Sequence, residues 1–217
     1  MRANEFLLEG LNHPMIVVDV QPEYAYYTPQ TEKICADIIR FVTKQTGPVL
    51  MLVNAEDSGV SADTKEFITQ YWNNIDVEDW DDEDPSVVTN NVNWSRFTFI
   101  DKGYGHLRSW MDQGVPPAVI IKVIRAMYQE KVNDSRELFG GEDSDEYEAG
   151  MQTLMGNYVS HAIGGDCISV GWACVATLKK FSGAYLVGGG RNECLREVEL
   201  LMNAFNIKYK RIDSLVY

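Results

Sequence analysis

The tightest constraint in this chain is a set of short, continuous apolar runs rich in β-branched residues. Residues 15–20 (MIVVDV), 49–53 (VLMLV), 96–100 (RFTFI) and 184–187 (AYLV) form the set. Each is too short for a buried helix, and glycine, proline or asparagine stands beside most of them, which is the signature of buried strands. Helical periodicity fills the intervals. Residues 31–45 place Ile34, Ile38, Phe41 and Val42 on one side before Gly47-Pro48 stops the helix, and residues 62–73 do the same with Phe67, Ile68 and Tyr71. Strands apolar on both sides, alternating with helices, predict an α/β fold: an open, mostly parallel, Rossmann-like sheet with helices on both faces.

The second half reads as more helical. Residues 104–113 predict a helix carrying Leu107 and Met111, and Pro116-Pro117 opens a longer one over 118–132. Gly140-Gly141 and the residues after it predict a loop, and 147–163 another helix. Residues 167–181 fit either a strand followed by a helix or one helix bearing Ile168, Trp172, Val175, Leu178 and Phe181. A strong helix over 192–205 and a last strand over 208–212 complete the pattern. With no repeat and no linker composition, the expectation is a single domain over 1–217, with a helical insertion at about 115–170 before the last strands.

Charge and cysteine usage narrow the function classes. The net charge is −13, with acidic runs at 76–84 (DVEDWDDED) and 142–148 (EDSDEYE). Such runs read as solvated loops, or as a surface for a basic partner, and they oppose nucleic-acid binding, which needs a basic footprint. The four cysteines, Cys35, Cys167, Cys174 and Cys194, form no CxxC, and the chain has three histidines. A zinc site or a secreted disulfide framework is therefore not expected; free thiols in the cytoplasm are. No apolar run reaches the length of about 18 residues that spans a bilayer, and the N-terminus does not read as a signal peptide, so no membrane partner is expected.

Three reactive side chains stand at strand ends. The stretch AYLVGGGRNECLREVELL runs from a strand through three glycines into a helix starting at or near Cys194. A thiol there meets the positive end of the helix dipole, which favours thiolate, and the glycines let N–H groups face a ligand oxygen. A glycine turn beside a structural cysteine, or a weak phosphate loop, would also produce this pattern. Asp19 follows the first strand, where ligands of open α/β sheets bind, and suits a base; it also suits a buried loop cap. Lys102 follows the third strand and suits charge stabilisation, or is a plain surface lysine.

Taken in order, these motifs resemble the isochorismatase-like cysteine hydrolases. VVDVQ resembles the family's opening strand, with Asp followed two residues later by Gln21. DKGYGHL resembles its K-x-x-Y segment, although Tyr104 is two residues after Lys102 rather than three. GGGRNECL resembles its G-x-x-T-N-x-C-V turn, with Arg191-Asn192 where Thr-Asn is usual. The resemblance covers about 14–113 and 175–217.

It implies a Cys-Lys-Asp site: Cys194 as nucleophile, Asp19 as its base and Lys102 holding charge. It further implies an oxyanion hole from the N–H groups of Gly190 and Cys194, a cis bond at Gly189–Gly190, and a thioester intermediate. Gln21, Tyr104, His106 and Asn192 become candidates for the substrate pocket, while Trp110, Tyr128 and Trp172 fit either a pocket wall or the core. The metal-binding branch of the family uses an Asp-x-His near the second strand; NAEDSGV stands there without histidine, so no metal and no cofactor are expected. Homodimers or tetramers are common in the family. Cys174, in SVGWACVATL, is the rival nucleophile, but Gly171 lies too close to it for the turn.

The expected function is a metal-independent cysteine hydrolase acting on a small amide or acyl substrate. The competing reading is a non-catalytic acidic binding or assembly protein on the same fold. A nucleotide-binding protein using the glycines ranks third, since no second phosphate motif accompanies them.

Overall fold

Every side chain of the first strand, β1 (Met15–Val18), is fully buried, whichever way it points. The same holds for β2 (Val49–Val53), which lies parallel beside it. The computed structural model describes residues 12–25, 28–54, 60–74, 92–163 and 165–217. They form two compact units. The first runs through Asp101 and takes back Gly183–Arg191 and Tyr209–Tyr217; the second is Lys102–Ser182 with Asn192–Lys208.

In the first unit, β1 leads through α1 (Pro22–Ala25) and α2 (Pro29–Lys44) to β2, and then through α3 (Ala62–Asn74) to β3 (Phe97–Asp101). The sheet is completed by β6 (Ala184–Gly188) and β7 (Tyr209–Arg211). The strand order is β3-β2-β1-β6-β7 and every pairing is parallel. The chain therefore moves outward from β1 on one side and later returns to its other side. The carboxyl ends of β1 and β6 meet at that switch point, the place where open α/β sheets bind ligands. This is an α/β fold of generic Rossmann-like form.

One face of the sheet carries Met15, Val17, Met51, Val53 and Val187, packed with Cys35, Ile38, Ile39 and Val42 of α2 and Ile68 and Trp72 of α3. The other face, with Ile16, Val18, Leu50, Leu52 and Leu186, is equally shielded from water. α2 starts as its sequence dictates: the Thr28 side chain accepts from the Thr31 N–H at 3.0 Å and Pro29 occupies the first turn. Two predicted strands shift. β1 stops at Val18 rather than residue 20 because Asp19 turns into the left-handed region (φ 53). β3 starts at Phe97, since Trp94–Arg96 form a 3-10 turn.

The second unit holds β4 (Tyr104–Gly105), α4 (Leu107–Asp112), α5 (Pro117–Glu130), α6 (Asp145–Met155), β5 (Ser169–Val170), α7 (Trp172–Lys180) and α8 (Cys194–Ala204). α5 buries Ile120, Val123, Ile124 and Met127 and packs on α6 and α8. Several elements of this unit depart from their local sequence pattern. The helix expected over 104–113 is only Leu107–Asp112, because Tyr104 and Gly105 pair antiparallel with Val170 and Ser169 and His106 is left-handed (φ 60). That same pairing resolves 167–181 as a strand and then a helix. The helix expected over 147–163 ends at Met155, where Gly156 takes φ 57, and a 3-10 turn follows.

The acidic run 142–148, expected as a loop, supplies Asp145, Glu146 and Glu148 to the first turn of α6. Their charge suits the positive end of that helix. The other acidic run, 76–84, lies outside the described residues. Among the described residues no helix is long and apolar enough to cross a membrane.

Gly188, the last residue of β6, has φ 81, and a Cβ there would lie 2.4 Å from the Val18 carbonyl oxygen. Gly183 has φ 91 but open space around it. Gly188→Ala should therefore cost about 3 kcal/mol or more, by strain and steric displacement together, and Gly183→Ala about 1 kcal/mol. Urea unfolding of the two variants checks the difference; equal losses would refute the steric argument.

Candidate active site

In the first unit the candidate residues gather at the carboxyl ends of adjacent strands. Asp19 is 1% exposed, and its backbone is held from three directions. Its N–H donates to the Leu52 carbonyl at 2.9 Å, and its carbonyl accepts from the Gln21 N–H at 2.9 Å and the Tyr217 hydroxyl at 2.8 Å. A left-handed aspartate costs about 1 kcal/mol or more, and this cluster of bonds keeps it there. The Trp72 indole N–H donates to the Val20 carbonyl at 2.9 Å and fixes the next residue.

Gln21, a candidate for the pocket, is engaged with backbone. Its Oε1 accepts from the Asn54 N–H at 3.3 Å, and its Nε2 donates to the Asn54 carbonyl at 3.4 Å and to Glu23 at 3.1 Å. It thus ties the chain after β1 to the chain after β2.

The glycine turn follows β6, and β6 pairs with β1 so that Gly188 lies beside Val18. The Arg191 N–H donates to the Tyr217 main-chain oxygen at 2.7 Å. Tyr217 therefore fastens both turns, one through its hydroxyl and one through its backbone. The Arg191 guanidinium donates to the Asp213 carbonyl at 3.1 Å and lies 3.6 Å from the Asp213 carboxylate, which also pairs with Arg211 at 2.7 Å. No described peptide bond is cis, so Gly189–Gly190 departs from the cis bond that the resemblance implies.

The second unit carries Lys102, Tyr104, His106, Asn192 and Cys194. Lys102 is 6% exposed, with its Nζ 6.0 Å from the Tyr104 ring centre. His106 is half-exposed, its Nδ1 3.8 Å from the Asp166 carboxylate, which also accepts from the Ser109 hydroxyl at 2.6 Å. Asn192 is exposed.

Cys194 is partly exposed and is the first residue of α8, at the positive end of that helix's dipole. Arg108 stands beside this helix end. Its backbone N–H donates to Glu197 at 2.9 Å, and its guanidinium pairs with Glu193 at 3.1 Å and Asp112 at 3.2 Å. Burial is the largest single influence and disfavours the Arg108 charge, but Glu193, Asp112 and Cys194 together outweigh it and hold the guanidinium above its usual range. Nothing local in the sequence marks Arg108, because Glu193 and Glu197 reach it only through tertiary packing.

The other thiols are placed differently. Cys35 is buried, and burial first and the Glu32 charge second push it up to about 12. Cys174 is buried in the first turn of α7. Cys167 donates to Asp134 at 3.3 Å, and burial, then that bond and the Asp134 charge, push its pKa up. Asp134 in turn is held below the usual carboxylate range, chiefly by its hydrogen bond to Arg136, at 2.8 Å. Among the described residues no group of His, Cys, Asp or Glu could hold a metal ion. The segment 55–59, within NAEDSGV, lies outside the described residues.

No family model matches the chain, and no curated protein or solved structure matches it either.

Two predictions follow from these charges. Arg108→Gln frees Glu193 beside Cys194 and removes a cation, so alkylation of Cys194 at neutral pH should slow about three- to tenfold, with Arg108→Lys largely preserved. Mass-spectrometric peptide counting of iodoacetamide adducts reads this out. For Asp134, the folded pKa is depressed, so its contribution is present above its unfolded value of about 3.9 and is lost as pH falls through the folded value. The stability gap between the native chain and Arg136→Gln should be flat around neutral pH and close as pH drops below about 4. Urea midpoints against pH test this; a gap that widens in acid would contradict it.

Proposed function

We propose that this chain is a metal-independent cysteine hydrolase acting on a small amide or acyl substrate, in the manner of the isochorismatase-like enzymes its motifs resemble. The observation that carries this reading is the setting of Cys194. It is partly exposed and opens a helix after a strand-glycine turn, with a guanidinium beside it, while Cys35 and Cys174 are buried and Cys167 is held protonated by burial and Asp134. That setting favours a thiolate nucleophile.

In the proposed cycle Asp19 accepts the Cys194 proton and Lys102 holds the thiolate charge. The sulfur forms a bond to the substrate carbonyl carbon, and the carbonyl electron pair moves onto oxygen. The N–H groups of Gly190 and Cys194 receive that oxyanion. Its collapse breaks the bond to the leaving amine or alcohol, which takes the proton from Asp19, and leaves a thioester. Water, deprotonated by Asp19, then attacks the thioester and releases the acid and the thiol. Tyr104, His106 and Asn192 are proposed to contact substrate. A homodimer or tetramer is the assembly that the resemblance implies, and the free thiols suit the cytoplasm.

The competing reading, an acidic binding or assembly protein, is favoured by Arg191 in place of the usual threonine and by its ties to Asp213. One experiment separates the two. A panel of small amides and esters should leave an acyl adduct on the Cys194 peptide, seen by mass spectrometry after rapid acid quench. Cys194→Ala should lose turnover about a thousandfold or more. Equal, slow alkylation of all four cysteines with no adduct from any substrate would sink the hydrolase.

A further inference from the structure

In the second unit, away from the candidate nucleophile, three helices bring three aromatic rings into one corner. Tyr128 comes from α5, Trp172 from the start of α7, and Phe205 from the end of α8. Tyr128 meets Trp172 at 74° and 5.3 Å, and Phe205 at 68° and 5.1 Å; Trp172 and Phe205 meet at 85° and 6.2 Å. Three planes, each steep to the other two, make a corner rather than a stack. Ring faces are electron-rich, so such a corner is attractive to a cation.

A cation already stands over two of the three rings. The Lys179 ammonium is 4.7 Å from the Tyr128 ring centre and 4.8 Å from the Phe205 ring centre. The chain holds 32 acidic residues against 19 basic, so a carboxylate would be the ordinary partner for a lysine. Among the described residues Lys179 has no such partner, and the ring faces take that place.

The walls are fixed from behind. The Trp172 indole N–H donates to the Val132 carbonyl at 3.2 Å, and Arg125 donates to the Ala204 carbonyl, next to Phe205, at 2.7 Å. The corner opens to water, since Tyr128 is 46% exposed, more than a ring serving only as core.

A primary ammonium is a compact, strongly hydrated ion and a poor match for ring faces. A trimethylated ammonium is weakly hydrated, spreads its charge over methyl groups, and is the cation that aromatic cages select. The net charge of −13 adds a long-range attraction for cations. We propose that the ring faces of Tyr128 and Phe205, with Trp172 packed edge to face against both, form a binding cage for a trimethylammonium group, with Lys179 as its resident plug. The ligand is either a free quaternary amine or a trimethyllysine side chain on a peptide. The proposal is independent of any chemistry at Cys194.

The test uses the full chain and three probes: tetramethylammonium, choline, and a short peptide carrying one trimethyllysine. Each is titrated while the Trp172 indole N–H is followed by two-dimensional NMR, with Trp172→Phe assigning the signal. Lys179→Ala should bind tetramethylammonium about tenfold more tightly than the native chain, because two ring contacts no longer go to a competitor. Adding Tyr128→Ala to that variant should abolish the shift. Choline binding without peptide binding identifies a small-molecule site, and the reverse identifies a methyl-lysine site. The cage is overturned if folded Lys179→Ala shows no Trp172 shift with any probe, or if binding survives Tyr128→Ala. Should Lys179→Ala fail to fold, Lys179→Gln carries the same test.

Discussion

β1 is hydrogen-bonded along both edges and buried on both faces, and the first unit is organised around that one strand. Parallel pairing with β2 on one side and β6 on the other forces the chain to leave β1 in one direction and return from the other. A switch point at the carboxyl ends of β1 and β6 is the necessary result. Asp19 and the glycine turn are there because of that topology, whatever chemistry they perform.

The switch point is held by unusually directed bonds. Tyr217 joins Asp19 to Arg191, one contact through a hydroxyl and the other through a backbone oxygen. Gln21 joins the next strand end by amide-to-backbone bonds. A strained aspartate and a turn of positive-φ glycines persist because neighbours over-determine them. The second unit manages its polar groups in another way. Exposed ion pairs surround the start of α8, where Arg108 balances Glu193 and Asp112, and a cation rests on rings near its end. Exposed pairs of this kind add little stability, but they set the local potential felt by a thiol or a ligand.

Much of the first unit was legible in order. β2, β6, α2 and α3 fall within a residue or two of the positions that apolar runs and helical periodicity predict. The misreadings have separate causes. Residues 104–105 carry helix-compatible types, yet they pair with Ser169–Val170, and that pairing is invisible to any local window. The run 142–148 reads as loop because it is acidic, whereas three acids are what the start of α6 favours. For the candidate site, residue types at strand ends could be picked out. Their partners could not: Arg108 beside Cys194, Asp134 against Cys167 and Tyr217 on Asp19 all join distant segments.

The sequence by itself determined the α/β class, the buried strands and the list of side chains able to do chemistry, because burial period and residue type are local properties. Only tertiary structure decided what surrounds each of them. It buried Cys35 and Cys174, tied Cys167 to a carboxylate, and put Cys194 at a helix start beside a guanidinium. It also turned three separately placed aromatics into one corner holding a lysine. These outcomes depend on packing between segments far apart in the chain, and such packing leaves no local periodicity to read.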